Sequence, residues 1–301
     1  MNEKYITIEE TLSSDSLPPE MLPHLLLSQM LLTGARKPMV WLSLVTENTE
    51  LVGKDGTTIK IPAMTQISAT TESAPDVEAD EFAGFTVSDP EMTTVDISVA
   101  DLVYCSFKLT KILLEDNVSI DYVQKVLANA KSAVLETMNY DIRTLVQAAS
   151  GTETATIDAF SYKNILDARA KLENSGWLIG DDSAVLVINV ANKNLLLTDK
   201  DFVPSERFTA SQIEDMVDGA VGLYAGCQVV VDVDLEDNEG YILATHGRLG
   251  VVVALVYKRE IQTDSQQFQM QEKTQTAVTT RYKPAVVQPL GIVKISVSSS
   301  P

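Results

Sequence analysis

The hydrophobic positions of this 301-residue chain switch between two spacings, and the switches mark its elements. From Thr57 to Ile61 every second residue is apolar, with Ile59 and Ile61 on one face of a strand that Pro62 closes. Gly53-Lys54-Asp55-Gly56, just before it, is turn chemistry. The alternation returns at Thr94–Val99 (Val95, Ile97, Val99) and at Leu102–Leu113, where Phe107 and Leu109 share a face. Between the first two strands runs ISATTESAPDVEADEFAG, too poor in large apolar residues to make a core of its own, and read as an exposed loop.

At Ser119 the spacing changes to three and four. Ile120, Val123, Leu127, Ala130, Val134, Met138, Ile142, Leu145 and Ala149 form one helical stripe over residues 119–148. Ser119 suits the N-cap, Asp121 the positive end of the helix dipole, and Gly151 the C-terminal stop. At ~1.5 Å per residue such a helix is about 45 Å long, which implies an elongated molecule built along a spine.

Downstream, helices and strands alternate. Ser161–Asn174 is an amphipathic helix carrying Ile165, Leu166, Ala168 and Leu172 and ending near Gly176. Ala184–Ile188 (AVLVI) is apolar on both faces, the mark of a buried strand. Asn192–Leu197 suits a short helix; Gln228–Leu235, Gly250–Tyr257, Thr276–Tyr282 and Gly291–Val297 read as strands. Upstream, Pro18, Pro19 and Pro23 break residues 1–45 into an arm, with a short helix at Leu25–Thr33 stopped by Gly34. The mixture is α+β, without internal repeats.

Charge and chemistry narrow the function. The net charge is -19, from 42 acidic and 23 basic residues, with no basic run to grip a phosphate backbone, which argues against sequence-specific nucleic-acid binding. Such a surface still suits enclosing DNA held by confinement, and it favours solubility. Cys105 and Cys227 are far apart in apolar surroundings and read as buried free thiols, which fits a reducing compartment. The acidic N-terminus does not resemble a signal peptide, and no apolar run reaches the ~20 residues that a membrane helix needs. His24 and His246 are not spaced as a metal pair. No nucleophile elbow, phosphate loop or zinc helix occurs, and Asp181 and Asp182 lack a nameable acid/base partner. Gly219, Gly222 and Gly226 precede a strand and read as a turn, not a dinucleotide loop.

The densest acids, Asp232, Asp234, Glu236, Asp237 and Glu239, invite a divalent cation, with Asp232, Asp234 and Asp237 as the weak metal candidates. Strand periodicity gives a simpler account. Val229, Val231, Val233 and Leu235 take one face, Asp232 and Asp234 the other, and Asp237-Asn238-Glu239-Gly240 turns the chain. No metal, cofactor or catalytic residue is therefore assigned.

In its order of parts the chain resembles the Hong Kong 97-type major capsid proteins of tailed viruses. The resemblance rests on GKDGTTIKIP through TTVDISV for an extended loop, and on SIDYVQKVLANAKSAVLETMNYDIRTLVQAA for a spine helix. It continues with ILDARAKLENSGWLIGDDSAVLVINVANKNLLLTDKDF and GAVGLYAGCQVVVDVDL for an axial domain, and TAVTTRYKPAVVQPLGIVKIS for the closing strands. It implies an arm at 1–45, an extended loop at 46–100, and a peripheral domain at 101–154 that contains the spine helix. An axial domain follows at 155–248, and 249–301 returns to the peripheral sheet and ends in a tail. The implied protein is a non-enzymatic subunit that self-assembles into hexamers and pentamers of an icosahedral shell around double-stranded DNA. It would be built in the host cytoplasm without membrane or cofactor. Lys60, Ile61, Phe82 and Phe85 are its candidate contacts with a neighbour. Because no long scaffolding segment precedes the arm, a separate scaffolding protein is expected, with a portal and decoration proteins as further partners. An encapsulin-like nanocompartment shell is the alternative, and an enzyme with an acidic metal site near Asp232 the more distant one.

Overall fold

The computed structural model describes residues 38–64, 92–110, 120–149, 154–176, 184–207, 217, 219–244, 252–268 and 273–297. The helix expected at Leu25–Thr33, Phe82, Phe85, both histidines, Asp181 and Asp182 lie outside these residues. A 3₁₀ turn at Trp41–Leu44 leads into β1 (Thr46–Asn48), followed by β2 (Thr58–Met64), β3 (Met92–Ser98) and β4 (Val103–Thr110). The long helix α1 (Ile120–Ala149) comes next, then β5 (Thr154–Ile157), α2 (Tyr162–Asn174), β6 (Ala184–Ile188) and α3 (Val190–Leu197). The chain continues through β7 (Val203–Pro204), β8 (Ala220–Tyr224), β9 (Cys227–Val231) and β10 (Glu239–Ala244). It closes with β11 (Val253–Phe268), β12 (Lys273–Val286) and β13 (Ile292–Val297).

One sheet has four strands in the order β1-β11-β12-β4, with α1 laid across β4 and β12. The helix buries Val126, Ala130, Val134, Met138, Ile142 and Val146. This differs from the expected stripe, since Val146 is fully buried while Leu127 and Leu145 stay half-buried. A strict step of four overshoots a 3.6-residue turn by ~40°, so the buried line winds around the helix and meets different partners along its length. Tyr282 of β12 fastens the helix by donating from Oη to Asp141 Oδ2 at 2.7 Å. Burial, then that bond, pushes the phenol well above its ordinary range. The strand expected at Gly250–Tyr257 runs on to Phe268, because the exposed polar half from Gln262 pairs with β12 residue for residue.

The second sheet has seven strands, β5-β13-β10-β6-β9-β8-β7. Its centre, β6, is fully buried along its whole length. The closing strand β13 pairs with β10 and β5 here, away from β11 and β12, so the last segment does not return wholly to the four-stranded sheet. Strand β10, which the hydrophobic pattern had not marked, pairs with both β6 and β13. On α2 the buried residues are Ile165, Ala168 and Leu172, while Leu166 is turned outward by its extra ~100° of helical rotation. Helix α3 begins two residues earlier than expected because the Asn189 side chain accepts from Asn192 N at 2.8 Å, an N-cap.

Of the three glycines expected in one turn, Gly222 lies in β8, where a Cβ would stand 2.4 Å from the Val203 carbonyl oxygen. Gly226 does turn the chain. With Ala225 (φ 50) and Gly226 (φ 73) both left-handed between paired Tyr224 and Cys227, it makes a two-residue hairpin.

Strands β2 and β3 form a separate two-stranded ribbon. Pro62 does not end β2; it pairs with Thr94. Val99 N donates to Thr57 O at 2.8 Å, and antiparallel pairs alternate, so residues 57, 59, 61 and 63 hold the hydrogen-bonded positions. Residue 62 then points its nitrogen outward, where a proline costs no ladder bond.

Candidate assembly site

Two features stand apart from an ordinary core: a two-stranded ribbon separate from the two larger sheets, and a buried polar junction at Asn139 and Arg143 in the C-terminal half of the spine helix. The ribbon is two-faced. Lys60 and Asp96 pair at 3.6 Å on its exposed side. Ile59, Ile61 and Val95 lie on the other side, half-buried over a small cluster of Leu51, Ile97, Val99 and Val256. Its base is pinned by Arg281, which donates from Nη2 to the carbonyls of Val99 (3.1 Å) and Ala100 (3.3 Å), and by Lys258 donating to Leu51 O at 3.3 Å. Of the contact candidates, Lys60 thus lies on the solvent face and Ile61 on the apolar face, partly covered by its own chain. A two-stranded ribbon is marginal alone in water, and this one gains a layer from the cluster of Leu51, Val99 and Val256 beneath it.

The junction overturns the expected layout of the acidic stretch. Strand β9 ends at Val231, Asp232 is 3% exposed and Val233 is 49% exposed, the reverse of the inferred faces. The cause is tertiary. Asp232 Oδ2 accepts from Trp41 Nε1 at 2.6 Å, and Oδ1 accepts from Asp234 N at 3.0 Å. Arg143 of α1 lies 3.0 Å from Asp234 Oδ2 and 3.8 Å from Asp232 Oδ2. Asn139 Oδ1 accepts from Trp41 N at 2.8 Å, and the fully buried indole meets the Tyr241 ring edge-on at 6.1 Å.

Asp237 is directed elsewhere. Its carboxylate accepts from Asn189 Nδ2, and its carbonyl from Asn192 Nδ2 at 2.9 Å. Glu239 takes Lys294 and the Tyr241 hydroxyl. Among the described residues no three His, Cys, Asp or Glu side chains are grouped to hold a metal ion. The acids act as internal acceptors. The sequence showed the acids but not the partners of Asp232 and Asp234, Trp41 and Arg143, which come from positions far along the chain.

Two further features bear on what the surface can do. Strand β4 is an edge of its sheet, with Tyr104 64% exposed and Leu102, just before the strand, 50% exposed, and α3 shows Val190, Leu195 and Leu197 to solvent. Among the described residues no helix is long and apolar enough to cross a membrane. The cysteines differ: Cys105 is half-buried, while Cys227 is fully buried, and burial pushes its thiol up to about 12. A thiolate-seeking reagent at neutral pH is therefore expected to label Cys105 in the folded subunit and Cys227 only after denaturant is added. Rapid labelling of Cys227 under native conditions, read by mass spectrometry, would contradict this packing.

The profile of the phage capsid protein family matches residues 106–295, more than half of the chain. No curated protein matches the sequence. Among solved structures, the capsid of cyanophage P-SCSP1u aligns over 99% of this chain and 100% of its own, with TM-score 0.69 and 12% identity. Mycobacterium phage Che8 aligns over 89% of this chain and 94% of its own, with TM-score 0.63 and 17% identity. A virus-like particle from Pyrococcus furiosus aligns over 85% and 91%, with TM-score 0.51 and 12% identity. At these identities the structures speak to the fold, and the family profile to membership. With a spine helix across one sheet, a second mixed sheet and a separate two-stranded ribbon, the chain belongs to the phage capsid protein family and is a shell subunit with the Hong Kong 97-type major capsid fold.

Proposed function

We propose that this protein builds the icosahedral head shell that encloses the double-stranded DNA of a tailed virus, assembling in the host cytoplasm as hexamers and pentamers. The observation that carries this reading is the ribbon. Its apolar face at Ile59, Ile61 and Val95 is only half covered by its own chain, and Phe82 and Phe85 extend the same loop in sequence. A neighbouring copy supplies the missing layer on that face, and Lys60 offers a polar contact from the opposite side of the ribbon. The four-stranded sheet with α1 serves as the peripheral body and the seven-stranded sheet as the axial body. The segment 249–301 is then divided between the two, a reading supported by the pairing of β13 with β10 and β5. Of the arm 1–45, the part before Val40 reaches under a neighbour, because Val40, Trp41 and Leu44 belong to this chain's own core. The net charge of -19 supports a lumen wall that repels DNA. A separate scaffolding protein guides closure, a portal occupies one vertex, and decoration proteins bind outside.

The test is negative-stain electron microscopy of the purified protein, alone and with a co-expressed scaffold candidate. Closed shells containing nucleic acid are expected; protein cargo would point to a nanocompartment, and a small discrete oligomer under both conditions would refute the shell. Ile61→Asp is expected to leave circular dichroism and melting close to wild type, since the main core does not include Ile61, and to abolish shells. Normal shells from this variant would remove the ribbon from the assembly contacts.

A further inference from the structure

The junction of Trp41, Arg143 and Asp232 joins three parts of the chain, two on the side of the four-stranded sheet and one at the end of a strand of the seven-stranded sheet. Trp41 lies five residues before β1, which enters the four-stranded sheet beside β11. Asp232 immediately follows β9 of the seven-stranded sheet. Arg143 and Asn139 lie on α1, which packs on β4 and β12 of the first sheet and on β13 of the second. We infer that this junction fixes the angle between the two sheets, and through it selects the curvature and size of the closed shell.

Apolar packing alone would let the bodies slide, because hydrophobic contact has no direction. The junction does have direction. Both oxygens of the Asp232 carboxylate are committed, one to an indole N–H and one to a backbone N–H, and the guanidinium is held between two carboxylates. The Asp232 side of the site is nearly closed to water, with the Arg143 side chain 12% exposed and that of Asp232 4%, so water cannot cheaply replace a displaced partner of Asp232. Buried polar groups of this kind can select one arrangement among several of similar packing energy. The geometry also amplifies. A rotation of ~5° at Arg143 moves the helix start at Ile120, about 35 Å away, by ~3 Å, more than half of one strand spacing. When identical subunits close a surface, the bend within each subunit is repeated at every contact, so its change appears as a different closed size or as an open tube.

This inference rests on the shell reading, and the experiment separates the two. Wild type, Trp41→Phe and Arg143→Gln are assembled under one condition, with Leu172→Ala in α2 as a core variant outside the junction. Diameters are measured by cryo-electron microscopy, and melting of unassembled subunits is followed in parallel. Trp41→Phe keeps a buried aromatic ring and loses only the Nε1 donor, so it decides the matter if Arg143→Gln fails to fold. The expected result is a shifted or split diameter distribution, or tubes, in the junction variants, with wild-type diameter in Leu172→Ala. Wild-type diameters in Trp41→Phe would overturn the inference, as would an equal shift in Leu172→Ala. Folded Trp41→Phe subunits that form no shell would overturn it too, since a curvature role leaves the contacts between copies intact. If the wild type itself forms no shell, the shell reading fails first.

Discussion

Arg143→Met should lower the stability of the unassembled subunit by about 3 kcal/mol, the low end of the range for breaking a buried ion pair by removing one partner. The methionine retains much of the stem's packing, but it leaves Asp232 charged in a site where the carboxylate is almost fully covered. The two hydrogen bonds from Trp41 Nε1 and Asp234 N remain and offset part of the loss. Asp234 is less affected, because its side chain is 31% exposed and water can solvate it. The midpoint of urea unfolding is the readout. The double change Arg143→Met with Asp232→Asn should recover part of the loss, since no bare charge is then buried while a carbonyl oxygen can still accept from the indole. A midpoint unchanged by Arg143→Met would mean that the guanidinium contributes no net stabilisation at this site.

Leu186→Ala should cost about 4 kcal/mol, within the range for truncating a fully buried leucine in a core that cannot collapse around the cavity. Leu186 lies in the middle of β6, paired on one side with Ile242 of β10 and on the other with Val229 of β9, both fully buried. Its neighbours are held by two ladders, so backbone relaxation into the space is restricted. Unfolding midpoint is again the measurement, with an unchanged denaturant slope showing that the native state keeps its compactness. A loss below about 1 kcal/mol would show that the site collapses, and that the sheet is more plastic than its packing indicates.

The local signals in this sequence carried the elements that are amphipathic by themselves. Val95, Ile97 and Val99 alternate because one ribbon face meets the chain, and the stripe of α1 is visible because the helix has one wet side. AVLVI at Ala184–Ile188 is legible for the opposite reason: apolar on both faces, it can only be central. The family resemblance followed from the order and lengths of these parts, and the ribbon was legible as a loop without a core of its own.

What needed the tertiary structure was each feature decided by a distant partner. Pro62 remains in a strand because β3 leaves its nitrogen on the outer edge. Val233 faces solvent and Asp232 is buried, against the period of the stretch, because Trp41 and Arg143 provide a donor and a charge at that point. The exposed second half of β11 is a strand only because β12 lies beside it, since its own residues are polar on both faces. β13 joins the second sheet through pairing with β5 and β10, which its own alternation of Ile292 to Val297 cannot specify. A sequence fixes by itself which faces are apolar, through spacing and solvent. Which faces meet, and which charges can be buried where they meet, depends on contacts between residues far apart in the chain, and these exist only once it has folded.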